Sequence, residues 1–328
     1  MPVWGLRLTL AALFIFGSEV LLWSAPQEHT VIDWLLVVAG QVTLATLMLD
    51  VIVRYRMRDL YTVMVAFVGY AVLASLLVNP EATLYIFPDT LLTHVLGANA
   101  TFGLMTFGLL LALTTARKRR YHWLMLGYAV WVGFYFGVWT RWAPALGNFP
   151  LAPISLEMAL VYAVVAVMAA LLLFGVTLRL RSEEIMLTSE YLKMSVAEMG
   201  LVAAMVVVLL MLRALQKVVD GSALVAGISL LALSYAVLWT QQPEKGTSLM
   251  VDHLPPHSPS PLWIILSLAA FIVMTVVGYE IPLIDIRGAS QFTLMQALMV
   301  GIGFVWLPVA ASVISIRAID RYSRTSRW

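Results

Sequence analysis

The chain repeats one pattern ten times: a long apolar run, then a short polar connection. The runs lie near 3–23, 31–53, 60–79, 90–115, 121–141, 155–178, 197–217, 221–240, 262–283 and 292–316. About 20 mostly apolar residues suffice to cross a bilayer as a helix. Barrel strands would alternate apolar and polar positions over about ten residues, and these runs do not alternate. Backbone groups in hydrocarbon must be satisfied within their own segment, which selects the helix. The pattern predicts an all-α fold: a polytopic transmembrane helical bundle of about ten spans, forming a single integral membrane domain over 1–328.

Composition sharpens this picture. Of 328 residues, 62% are hydrophobic and 12% charged, against about a quarter charged in soluble domains. A soluble fold of this size could not hide so much apolar surface. Membrane lipids are therefore the expected surroundings. The net charge of +2 gives no reason to expect a nucleic-acid partner. The first run carries one basic residue, Arg7, and resembles a signal peptide. Pro26 stands where a cleavage site would end, so it is read as a retained span.

Basic residues set an orientation. Arg54, Arg56 and Arg58 follow the second run, Arg117 to Arg120 the fourth, Arg179 and Arg181 the sixth, and Arg317, Arg321, Arg324 and Arg327 the tenth. The positive-inside rule then puts both termini in the cytoplasm, with the cytoplasmic (inner) membrane as the expected location. The stretch 195–261 fits badly. Arg213 and Lys217 fall on the outer side, which leaves a re-entrant or tilted segment at 197–217 as an alternative. Leu180, Leu187, Tyr191 and Met194 recur on one helical face, which predicts an interfacial helix near 180–194. Pro282 is expected to end or kink the ninth span. The similar endings Arg54-x-Arg56 and Arg179-x-Arg181 hint at an internal repeat, as transporters have.

Ionisable residues within lipid are functional clues, and here they avoid the span centres. Glu19, Asp33, His94, Asn99, Arg141, Glu157 and Glu280 collect toward one side, the outer side by the charge rule. They form the candidate substrate-binding set, an outward vestibule for a cation, proton or polar solute. The competing reading makes them interfacial residues at helix ends. Asp50 lies inside a run with Arg54 four residues on, as in a helix-surface ion pair.

Other chemistry finds no support. Without cysteine there is no thiolate metal site, disulfide or cysteine nucleophile. No second histidine lies deep in a span to ligate haem with His94. His253 and His257 are separated by Pro255 and Pro256, which spoils a zinc pair. All four lysines lie outside span centres, so no retinal Schiff base is expected, and no P-loop is present for ATP. No catalytic residue, metal ligand or cofactor site is assigned. Aromatics crowd the fifth span, where Tyr128, Trp131 and Tyr135 share a face that could pack on helices or on a quinone ring. Gly97, Gly103, Ala166, Ala170, Ala223, Gly227, Gly301 and Gly303 mark close helix contacts.

Three functions follow in order. The first is a small-solute or ion transporter (a permease) without its own energy domain. The second is a non-catalytic membrane subunit of a larger multiprotein complex, with other membrane subunits as partners. The third is an intramembrane lipid-processing enzyme using Asp33, His94 or Glu157; a non-enzymatic role ranks ahead of it.

Overall fold

A computed structural model describes residues 2–22, 29–115, 119–146, 153–179, 189–240, 248–254, 256, 260–283 and 290–325. Among these residues there is no strand, and ten helices are long and apolar enough to cross a membrane. They are α1 (Pro2–Ile15), continued by a π-helical segment π1 (Phe16–Leu22); α2 (Val31–Arg54); α3 (Leu60–Leu77); a second π-helical segment π2 (Leu91–Asn99) running into α4 (Ala100–Thr114); α5 (Arg119–Leu146); α6 (Leu156–Arg179); α7 (Val196–Leu215); α8 (Gly221–Thr240); α9 (Pro261–Glu280); and α10 (Gln291–Thr325). Ten such helices point to a multi-pass integral membrane protein.

The doubtful stretch resolves into two ordinary helices. Ser195 caps α7 by accepting from the Glu198 amide, and Glu198 reaches back to the Ser195 amide. This reciprocal cap starts an unbroken 20-residue helix. Asp220 accepts from the Ala223 amide at 2.7 Å and from the Ser222 hydroxyl at 2.9 Å at the start of α8. Both α2 and α7 end in a left-handed residue, Arg56 (φ 49°) and Lys217 (φ 59°). In each, the next amide reaches back five residues, Met57 to Ile52 at 3.0 Å and Val218 to Arg213 at 3.3 Å, closing a Schellman motif. The interfacial-helix expectation falls mostly on residues outside the described ones; its described part, Ser189–Leu192, is one 3₁₀ turn. The α10 helix runs to Thr325 with Pro308 inside it, past the expected end at 316.

The described residues group into two compact units. The first comprises Met1–Ala45, Met105–Thr188 and His253–Leu298. Its centre is the α5–α9 pair, whose backbones touch where side chains vanish. A Cβ on Gly137 would overlap the Thr275 carbonyl, one on Gly278 the Phe134 carbonyl, and one on Gly133 the Phe271 carbonyl. Gly5 on α1 leaves room for the Thr177 side chain of α6. Phe271 stands edge-on to Phe16 (5.9 Å) and stacks on Phe136 (6.0 Å).

The second unit comprises Thr46–Leu104, Ser189–Asp252 and Met299–Trp328. Here α3 packs on α8 through Gly227, against Val72 and Leu76, and Gly103 faces the Tyr70 ring. Gly97 of π2 and Gly303 of α10 lie against the Met299 and Leu92 carbonyls. Trp306 donates from its ring nitrogen to the Met64 carbonyl at 3.0 Å. Four expected glycine contacts, at Gly97, Gly103, Gly227 and Gly303, are made. Gly301 faces open space instead, because it lies on another side of α10 from Gly303.

Candidate functional site

The first unit assembles a polar cluster around Glu19, which is buried (3% exposed) within π1. Short π-helical segments inside α-helices recur at functional sites. The Ser18 hydroxyl donates to Glu19 Oε1 at 2.9 Å, and Gln41 Nε2 of α2 donates to Ser18 Oγ at 2.9 Å. His29 Nε2 lies 3.5 Å from Glu19 Oε2 and is half-buried. Its ring also stands edge-on to Trp34 at 5.2 Å. The cluster thus holds a carboxylate in an apolar helix, fixes one oxygen with a directed donor chain, and links the other to a histidine at the rim. A carboxylate so placed has the chemistry to hold a small cation or a polar solute.

The remaining members of the set have other surroundings. Asp33 receives the Thr30 amide at 2.9 Å and the Thr30 hydroxyl at 2.7 Å, and its own amide returns a bond to Thr30 at 3.3 Å. That is an N-terminal cap of α2. Glu157 and Glu280 are exposed, in the first turn of α6 and at the last residue of α9. Arg141 of α5 donates to the Tyr279 carbonyl near the end of α9 and lies over the Trp142 and Tyr279 rings at 4.7 and 5.6 Å.

His94 and Asn99 belong to the second unit, both buried in π2. Asn99 donates to Ser75 Oγ at 2.9 Å, tying π2 to α3. His94 Nδ1 shares a hydrogen bond of 2.7 Å with the Thr93 hydroxyl. Tyr85 stands edge-on to it at 5.6 Å, its phenol pushed above the usual range by burial. Among the described residues, no three histidine or acidic side chains gather in the way a metal ion requires.

Two polar features of the second unit were not expected. Arg213 is 6% exposed and donates to the Leu77 carbonyl at 3.1 Å, the Val78 carbonyl at 2.7 Å and Gln216 Oε1 at 3.0 Å. It therefore caps the C-terminal end of α3, where orphan carbonyls and the helix dipole both favour a cation. Asp50 is not a surface partner for Arg54. It is 3% exposed, accepts from Arg54 Nε and Nη2 at 2.8 Å each, and also receives the Met194 amide at 2.7 Å. The chain entering α7 is thus pinned to the end of α2.

A polar residue within an apolar run was the available signal for Gln41. A search confined to ionisable groups passes over it. The chain matches no protein-family model, no curated protein and no solved structure.

Proposed function

We propose that the chain is a carrier for a small solute or ion in the cytoplasmic membrane, with both termini inside and Glu19 as its coupling carboxylate. The observation that supports this reading is the Glu19 cluster. Among the described residues only Glu19 and Asp50 are buried acids, and Asp50 is already bonded to Arg54 and the Met194 amide. A buried carboxylate is costly in a membrane and marks ion or proton pathways. His29, partly exposed, lies between Glu19 and water, while the Gln41–Ser18 chain fixes the geometry of the acid. Arg213, which runs against the positive-inside pattern, is engaged with backbone carbonyls, so packing accounts for its side.

The carrier reading is tested on the purified chain in liposomes adsorbed to a solid-supported electrode. A panel of amino acids, sugars, organic acids and metal cations is applied under a pH step. One class should produce a transient current, lost in Glu19→Gln and kept in Asp33→Asn. Silence across the panel, or full current in Glu19→Gln, defeats the proposal. Orientation has its own test, aided by the absence of cysteine. Ser222→Cys should react with an impermeant maleimide from outside, and Ser323→Cys only after permeabilisation; the reverse pattern overturns it.

A second reading, a subunit of a larger membrane assembly, draws on one contrast. The apolar window of α7 is 17% buried, against 83% for the first span, leaving faces that either lipid or another subunit must cover. Stoichiometric partner chains retained in mild detergent would favour it over a stand-alone carrier.

A further inference from the structure

The first unit holds a partly open cavity of about 80 Å³ among α1, π1, α4, α5, α6 and α9. Leu13, Phe16, Ala170 and Phe271 represent its apolar wall, and Tyr128 and Ser267 supply its only hydroxyls. Both hydroxyl oxygens are buried without a hydrogen-bond partner, and Ser267 is 9% exposed. Buried hydroxyls are normally satisfied, and in a helix the usual solution is the carbonyl one turn back. Thr275, on the same α9, bonds in that way to Phe271 at 2.8 Å. Ser267 does not, so the two oxygens at the cavity are left for something that enters it. The space is several times the roughly 10–15 Å³ a single water needs.

The lining selects the occupant. It carries no carboxylate, amine, guanidinium or imidazole, which excludes a charged ligand. Two hydroxyl donors call for a neutral molecule with carbonyl acceptors. Phe16, Phe271 and Tyr128 offer faces and edges to a flat ring. Ser267 lies six residues into α9 and Tyr128 nine into α5, so about 9 and 13 Å along their helices at 1.5 Å per residue. Lipid ester carbonyls stay near the headgroup boundary, whereas a quinone dissolves in the hydrocarbon itself. We propose that this cavity binds the ring of a lipophilic quinone, its carbonyls accepting from Tyr128 and Ser267 and its ring lying beside the paired Phe16 and Phe271 rings. The proposal stands independently of the carrier reading.

The test uses the full chain in phosphatidylcholine nanodiscs, irradiated with an azido-substituted short-tail benzoquinone, with labelled peptides mapped by mass spectrometry. Label should fall on α5 and α9 and be competed by decyl-benzoquinone but not by palmitic acid. Tyr128→Phe and Ser267→Ala should each weaken that competition by about 3- to 10-fold, the loss of one hydrogen bond, without lowering Tm. Ala170→Leu, which fills the cavity, should abolish specific labelling; if it fails to fold, the two hydroxyl variants carry the test. Equal competition by palmitic acid would reassign the site to acyl chains and overturn the proposal. So would label that ignores all three variants or spreads over every span.

Discussion

The two compact units use the same devices for different ends. Each has a π-helical segment, π1 or π2, and each has a glycine-to-carbonyl crossing, α5 on α9 or π2 on α10. Each also places an arginine, Arg141 or Arg213, on carbonyls near the C-terminal end of another helix. They differ in what the buried polar groups satisfy. In the second unit Arg213 bonds to backbone carbonyls, Asn99 to a serine hydroxyl, and Asp50 to the Arg54 guanidinium and the Met194 amide, so each joins elements of the fold. In the first unit the Ser18 hydroxyl and the His29 ring lie against the buried Glu19 carboxylate. Under the carrier reading this difference separates a structural acid, Asp50, from the coupling one, Glu19.

That comparison can be broken experimentally, and the glycine crossings give the largest effect. Gly137→Leu or Gly278→Leu forces a side chain into a carbonyl of the facing helix. Overpacking without room to relax costs about 1–3 kcal/mol or more, and here backbone must move, so loss of monodisperse protein in detergent is expected. Gly175→Ala, with open space around it, should leave the chromatogram unchanged. If all three behave alike, the α5–α9 crossing does not hold the first unit together.

Next come the arginines. Arg213→Met leaves two helix-end carbonyls and Gln216 without their donor, while Arg141→Met strips one carbonyl. At about 1–3 kcal/mol for a buried group left unsatisfied, Arg213→Met should lower Tm by clearly more than Arg141→Met. Equal losses would contradict the count of bonds.

The third test separates structure from chemistry. Asp50→Asn should destabilise by about 1–3 kcal/mol, through the weakened Arg54 and Met194 bonds, and leave the coupling current intact. Glu19→Gln, which keeps an acceptor oxygen for Ser18, should change Tm little and abolish the current. An inverted outcome would exchange the roles of the two acids.

The smallest effects concern helix ends in the second unit. Lys217→Gly removes the left-handed strain of a side chain at φ 59° and should raise stability by about 1 kcal/mol. The Asp220 cap is weaker and pH-dependent. Bonds from Ala223 and Ser222 hold its carboxyl below the usual carboxylate range. A depressed folded pKa stabilises above the unfolded value and is lost as pH falls through the folded one. The contribution of the α8 cap should therefore be intact above about pH 4 and fade in more acid solution. Thermal melts of Asp220→Asn and the parent should converge there; a gap that persists at low pH would remove the carboxylate from the explanation.

Legibility differed by feature. The ten helices, their order and nearly all their limits could be read from the apolar runs. The capping pairs Ser195 with Glu198 and Thr30 with Asp33 each lie within four consecutive letters, yet the structure was needed to show them as caps. Of the candidate site, Glu19 could be picked out because an acid late in an apolar run is rare. Its partners could not: Gln41 is 22 positions away, and nothing in the sequence pairs them. Asp33 looked equally promising in the same list, and it is a cap.

The sequence alone determined what is local. Apolar run length chooses the helix and its solvent, because each backbone hydrogen bond inside hydrocarbon closes within four residues. Only the tertiary structure decided what is remote. The partners of Arg213 and Arg141 are backbone carbonyls, which every residue carries and which no letter distinguishes. Glycines at 133, 137 and 278 matter because another chain segment arrives there, while Gly175 and Gly301 have the same letter and meet nothing. Ser267 and Thr275 differ in the same way, one left open beside a cavity and the other closed on its own helix.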